Sequence, residues 1–368
     1  MTTPRTPGGA AKRLAETMAA RVTRGLSGPM AHAVRTAATQ GGGGQSARMA
    51  EATRLTRAGR LTEAMSVLQG TGSAPVPTMP GSFTATRAAA PTPTSGRVSR
   101  GSVDGPGGSR SYRLVVPERV QDRPPLLVML HGGTQDADTF AAATGMDDLA
   151  EREGFLVVYP EQSRSANAMG YWNWFEPGSQ GRGGEAALIA AIVTEVSAAH
   201  GVDRERVFVA GFSAGAAMAA VMGAAYPDLV AGVGIHSGLP AGAAHDVGSA
   251  FGAMRGAPYR VGATSVPTIV VHGTDDPTVA AVNGTRAVEA ALADHPGCAR
   301  TEERGGGGDR RSWTRERWTD RDGVVRAEHW TVHGSGHAWS GGRAGGSYTD
   351  PAGPDASAAM CEFFAGEH

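Results

Sequence analysis

The chain has 368 residues, with 34 Lys or Arg against 35 Asp or Glu and a formal net charge of -1, so no global electrostatic case for nucleic acid exists. Hydrophobic residues make up 40%, enough to bury one large core, yet no apolar run is long enough to span a bilayer. Cys298 and Cys361 are the only cysteines, which excludes a disulfide framework and leaves at most one bridge.

Residues 1–47 read as a basic, loosely ordered tail ending at Gly41-Gly42-Gly43-Gly44. This tail lacks the continuous apolar core of a secretory signal, so the expected location is cytoplasmic, with secretion as the alternative. Residues 48–69 place Met49, Ala52, Leu55, Leu61, Met65 and Leu68 near a helical repeat broken at Gly59, which predicts an amphipathic helical segment. Residues 70–109 have the Gly, Ser, Thr and Pro content of a linker. A folded domain is expected over 110–368.

Within that domain, apolar runs at Tyr112 to Pro117, Leu126 to Leu130, Phe155 to Tyr159, Val207 to Ala210, Val230 to Ile235, Thr268 to Val271 and His329 to Val332 predict strands. Helical patterns over Met146 to Glu153, Ala186 to His200, Ala214 to Ala225, Arg286 to Ala293 and Asp355 to Phe364 fall between and after them. The order is that of an α/β-hydrolase fold, a mostly parallel central sheet flanked by helices. Such sheets bind ligands beyond the carboxyl ends of their strands, and the polar motifs fall at those ends.

Three motifs carry chemistry. Gly211-Phe212-Ser213-Ala214-Gly215 lies between a strand and a small-residue helix, the context of a serine nucleophile on a sharp elbow. Leu130-His131-Gly132-Gly133-Thr134 follows a buried strand, about eighty residues earlier, where this fold places one backbone donor of an oxyanion hole; the second comes from the residue after the serine. Gly133 and Ala214 are therefore the expected donors, with Thr134 beside the substrate. After the strand at 268–271, Asp276 fits the spacing of a carboxylate that orients a histidine, with Asp275 as rival. Near the end, His337 in Gly334-Ser335-Gly336-His337 fits a general base, with His333 as rival, and completes the order Ser, Asp, His. His131, His236 and His272 have no close partner at ligand spacing, so neither a metal nor another cofactor is expected.

Taken together, LLVMLHGGTQDADTFAAATGMDDLAEREGFLVVYPEQ, YWNWF, GGEAALIAAI, VFVAGFSAGAAMAAVMGAAYPDLVAGVGIHSGLP, VVHGTDDPTV and GSGHAWSGGRAGGSYTDPAGPDASAAMCEFF resemble the poly(3-hydroxybutyrate) depolymerase family of esterases, the short-chain polyhydroxyalkanoate depolymerases related to feruloyl and acetylxylan esterases. EATRLTRAGRLTEAMSVLQG also resembles a helix that many members carry ahead of the linker. The resemblance implies a serine esterase with Ser213, Asp276 and His337 as its triad, acting on a polyester or oligoester of short hydroxyalkanoates, with feruloyl or acetylated xylan esters as the alternative. Members commonly carry one Cys after the His-Gly of the oxyanion loop and another before Asn-Trp-Phe. Here Gly133 and the run Tyr171-Trp172-Asn173-Trp174-Phe175 stand instead, which predicts a missing bridge and a looser substrate-side loop.

Trp172, Trp174 and Trp339 lie near the expected site and are candidates for flat contact with substrate, with Trp172 and Trp174 alternatively core anchors of a long loop. A reading from another class is a binding protein whose Arg54, Arg57 and Arg60, spaced every three residues, dock the N-terminal segment onto a polyhydroxyalkanoate granule surface.

Overall fold

The computed structural model describes residues 97–366. The basic tail, the amphipathic segment and the linker up to residue 96 lie outside the described residues. Ten strands form one sheet in the order β1-β2-β4-β3-β5-β6-β7-β10-β9-β8. These are β1 (Arg97–Gly105), β2 (Gly108–Val116), β3 (Leu126–Leu130), β4 (Leu156–Pro160), β5 (Val207–Phe212), β6 (Gly232–His236), β7 (Thr268–Gly273), β8 (Ala299–Gly307), β9 (Arg310–Thr319) and β10 (Val325–Val332). The six central strands from β4 to β10 pair in parallel, while β1, β2, β8 and β9 add antiparallel edges.

The parallel strands are apolar on both faces because helices cover both. On one side pack α3 (Gly184–His200), α4 (Ala214–Ala225), α5 (Val247–Met254) and α6 (Val282–Leu292). The other side carries α1 (Ala137–Thr144), α2 (Met146–Glu153) and α7 (Ala356–Ala365). Helix α4 is buried almost throughout, and its run of Ala and Gly is what lets it approach the sheet: a Cβ on Gly223 would sit 2.6 Å from Val233 Cγ2. A small two-stranded parallel pair, β11 (Trp339–Ser340) and β12 (Thr349–Asp350), braces the last loops.

Several elements differ from the expectation. The linker does not run to residue 109, because β1 begins at Arg97 and pairs along its whole length with β2. Its only buried hydrophobic residue is Val103, so backbone pairing closed by the Pro106-Gly107 turn, and not an apolar stripe, makes the strand. The β8 and β9 hairpin escaped the apolar pattern for the same reason. It is knit by charge: Arg300 pairs with Glu302 and Glu316, and Arg304 with Glu302. The buried Glu328 of β10 is met by Arg315 at 3.0 Å and Arg317 at 2.9 Å. Helices α1 and α5 are only two turns long and owe their starts to caps. Asp136 accepts from Thr139 N–H at 2.7 Å, and Asp246 and Ser249 form a capping box.

Cys298 and Cys361 are both free thiols. Burial pushes the Cys361 thiol up to about 12, so it stays protonated and inert near neutral pH. Among the described residues, no helix is long and apolar enough to cross a membrane.

Candidate active site

Ser213 occupies the single residue between β5 and α4, at φ 55 and ψ -118. A left-handed φ on a non-glycine residue is costly, and here it turns the hydroxyl out of the sheet at the strand's carboxyl end. The strain therefore sits on the serine itself. Neither flanking glycine has a positive φ; each is required by close approach instead. A Cβ on Gly211 would lie 2.5 Å from the Gly215 carbonyl carbon, and one on Gly215 would lie 2.1 Å from Leu130 O and 2.5 Å from His131 O. Side-chain-free backbone at these two positions lets the start of α4 press against the end of β3.

Two further strand ends bring polar groups to this elbow. The turn after β7 carries Asp276, and the loop after β10 carries His337. His337 Nε2 lies 2.9 Å from Ser213 Oγ, and its Nδ1 lies 2.7 Å from Asp276 Oδ2. With a carboxylate at Nδ1, that nitrogen carries the proton, so Nε2 is free to accept from the serine hydroxyl. The other carboxylate oxygen, Oδ1, accepts from Thr278 N–H and Val279 N–H, both at 2.8 Å. Burial pushes the Asp276 carboxyl up, but the bond to His337, that ring's charge and the Val279 N–H together hold it below its ordinary value. The line is thus fixed at its far end as well as at the serine.

The rivals lie elsewhere. Asp275 is exposed and accepts from Thr274 Oγ1 at 2.9 Å, while exposed His333 is 2.9 Å from Thr314 Oγ1 on β9. Three buried histidines near the site tie loops in place. His131 Nε2 accepts from Gln162 N–H at 3.0 Å, and His236 Nε2 accepts from Ser340 N–H at 2.9 Å. Burial lowers both, His131 to about 4, so they are neutral acceptors. His272 donates from Nε2 to Val279 O at 2.9 Å, which steadies the turn cradling Asp276.

The oxyanion-side loop is a tight turn in which Gln135 N–H donates to Gly132 O at 3.3 Å. Gln135 Oε1 accepts from Gly132 N–H at 2.9 Å, and Gln135 Nε2 donates to Ser347 O at 3.1 Å. Gln135 was not among the expected residues, although it ties this loop to the segment before β12. Thr134 is exposed at φ 68. Ala214 opens α4, where the first amides have no intrahelical acceptor and the helix dipole favours negative charge.

The tryptophans take the anchor role. Trp172, Trp174 and Trp339 are 0%, 5% and 1% exposed, so none offers a free face to a ligand. Trp172 donates to His131 O at 3.1 Å, Trp339 donates to Ser357 Oγ at 3.0 Å and stacks on His236, and Trp174 packs edge-on to Phe175. The two ring N–H groups are satisfied inside the core, which is why large aromatics sit there without loss.

The loop expected to be loose is pinned. Glu185, buried at the start of α3, accepts from Asn173 N–H at 2.8 Å, Asn173 Nδ2 at 2.9 Å and Gln162 Nε2, with the buried Arg110 guanidinium 3.6 Å away. In place of a thiol pair, the Tyr171 ring lies across Gly133: a Cβ there would be 2.0 Å from Tyr171 Cε1. Replacing Glu185 with Gln is expected to destabilise the protein by about 3–5 kcal/mol, because the buried Arg110 charge loses its counterion and at least one of the three donors loses its acceptor. Urea unfolding of the two forms measures the difference.

Comparison with known proteins gives matches over this same region. The profile of the family described as "Esterase PHB depolymerase" matches residues 110–304. Poly(3-hydroxyalkanoate) depolymerase C of Paucimonas lemoignei is 37% identical over 200 residues, covering 50% of this chain and 48% of that protein. The acetylxylan esterase A of Aspergillus fumigatus, described as probable, is 34% identical over 139 residues, 37% of this chain and 36% of the relative. Feruloyl esterase B of Thermothelomyces thermophilus is 30% identical over 149 residues, 40% of this chain and 50% of the relative. The chain thus spans about half or less of the length of these curated relatives. Among solved structures, an acetyl xylan esterase from Aspergillus awamori superposes with TM-score 0.58 at 20% identity, over 73% of this chain and 99% of that one. That likeness establishes the α/β-hydrolase architecture.

Proposed function

The chain belongs to the esterase PHB depolymerase family, whose profile spans more than half of it, and on that premise we propose that it is a serine ester hydrolase acting through an acyl-serine intermediate. The observation that carries the reading is the unbroken line from Ser213 Oγ through His337 to Asp276, at 2.9 and 2.7 Å. Ser213 attacks the ester carbonyl while His337 Nε2 takes its proton, and Asp276 stabilises the imidazolium. The Gly133 and Ala214 amides hold the oxyanion. His337 then returns the proton to the leaving alcohol, and water, activated by the same nitrogen, releases the acid. No step requires a metal or an organic cofactor.

The substrate class we propose first is a short-chain hydroxyalkanoate oligoester or polyester, supported by the similarity to the depolymerase. Acetyl or feruloyl esters of xylan are the second reading, supported by the similarity to the two fungal esterases. The segment invoked for granule docking lies outside the described residues. A panel of hydroxybutyrate oligomers, methyl ferulate and acetylated xylan, each run against Ser213→Ala, separates the two. The oligomers are expected to show the highest kcat/KM, and a preference for either of the other two reverses the order.

A further inference from the structure

Two tyrosines lie against residues of the site, Tyr348 beside His337 and Tyr171 beside Gly133, and the chemistry described above uses neither. Tyr348 is 48% exposed, one of few large apolar side chains in the open. Its ring centroid lies 6.3 Å from that of His337 and 6.1 Å from that of Phe212. Its backbone is left-handed, at φ 52, a conformation that a bulky side chain adopts only where its surroundings impose it. Here they do. Tyr348 O accepts from Trp339 N–H at 2.7 Å, the next residue pairs in β12 with β11, and the preceding carbonyl is held by Gln135 of the oxyanion-side loop. The backbone is thus constrained at three points, and the ring it presents beside the general base keeps about half of its surface in water.

Tyr171 lies at the oxyanion-side loop, half-buried, with its ring across Gly133. Burial first, and then the nearby Tyr348 phenol, hold the Tyr171 phenol above its ordinary value. Neither can be called a core residue in the way Trp172 and Trp339 are.

Resting on the serine-esterase reading above, we propose that Tyr348 and Tyr171 line the substrate cleft on its His337 and Gly133 sides, and that Tyr348 binds the alcohol portion of an extended aliphatic hydroxyacid ester. The assignment of sides follows from the proton. His337 Nε2 must reach the leaving oxygen, so the alcohol portion lies on the His337 flank, against Tyr348. The carbonyl oxygen points to Gly133, beneath Tyr171. A chain of methylenes and ester groups offers apolar stretches that phenol rings can cover while the rim stays wet. A methyl ester has no alcohol portion long enough to use the Tyr348 wall.

The test compares kcat/KM for a 3-hydroxybutyrate trimer, methyl 3-hydroxybutyrate and acetylated xylan in the wild-type chain, Tyr348→Ala and Tyr348→Phe. In Tyr348→Ala the trimer-to-methyl-ester ratio is expected to fall about tenfold, the worth of one apolar wall removed from water. Tyr348→Phe keeps the ring face and holds the ratio within about threefold of wild type, as a face contact requires. An unchanged ratio in Tyr348→Ala, or equal losses on both esters, overturns the proposal, as does a loss confined to acetylated xylan. A wild-type chain inert on all three substrates overturns the esterase reading itself.

Discussion

Replacing Ser213 with Ala is expected to lower kcat for p-nitrophenyl butyrate roughly a million-fold, leaving only what binding and an oxyanion hole supply alone. The size follows from the path. Without Oγ there is no acyl-serine, and hydrolysis falls back on direct attack by water. His337→Ala is expected to do comparable damage, because Ser213 Oγ at 2.9 Å from Nε2 is inert unless its proton has somewhere to go. The decisive measurement is the double variant. If the two residues act as one unit, Ser213→Ala with His337→Ala is no slower than either alone; multiplicative losses would mean that they serve separate sites. Neither change adds bulk to the site, and near-ultraviolet circular dichroism verifies that the fold survives each.

How much of this was legible in the sequence differs between elements for physical reasons. The parallel strands are apolar on both faces, so Leu126 to Leu130 could be read off directly, and it matches β3. Helix α4 was equally plain, since Ala214 to Ala225 is an unbroken run of helix formers and small residues. The structure brings Ser213, Asp276 and His337 together because each lies at the carboxyl end of a parallel strand, a topological rule that needs no side-chain detail. What escaped was whatever depends on a partner far away in sequence. Strand β1 exists through hydrogen bonds to β2, and β8 and β9 through each other's charges, so neither carries its own apolar signal. The tryptophans look alike in the sequence whether they face ligand or core, and only the acceptors His131 O and Ser357 Oγ decide it. The absent thiol pair suggested looseness, yet the Tyr171 ring on Gly133 and the Glu185 network do by packing and buried hydrogen bonds what a bridge would do covalently.

The glycines of the elbow lead to the second large effect. Gly215→Ala is expected to destabilise the protein by about 3 kcal/mol or more, because overpacking against backbone cannot be relieved by a rotamer change. The added methyl would fall 2.1 Å from Leu130 O and 2.5 Å from His131 O, the last residue of β3 and the one that follows it, and β3 is a central strand that pairs with β4 on one side and β5 on the other. Something must move, and the start of α4 and the end of β3 are forced apart. For a domain of this size the loss corresponds to a fall in Tm of about 6–12 °C. Gly181→Ala is the control: nothing lies within 4 Å of its Cβ and its φ is not positive, so it should stay within about 0.5 kcal/mol of wild type. The same displacement has a kinetic consequence. Gly133 follows β3 and Ala214 begins α4, so forcing helix and strand apart separates the two proposed oxyanion donors across the serine. A misplacement of about 1 Å in such a site costs on the order of a hundred-fold in rate. Activity of the folded fraction of Gly215→Ala should therefore fall by about that factor even at temperatures where unfolding is negligible. A variant that loses stability but keeps wild-type kcat per folded molecule would show that the tight contact between α4 and β3 serves only the fold.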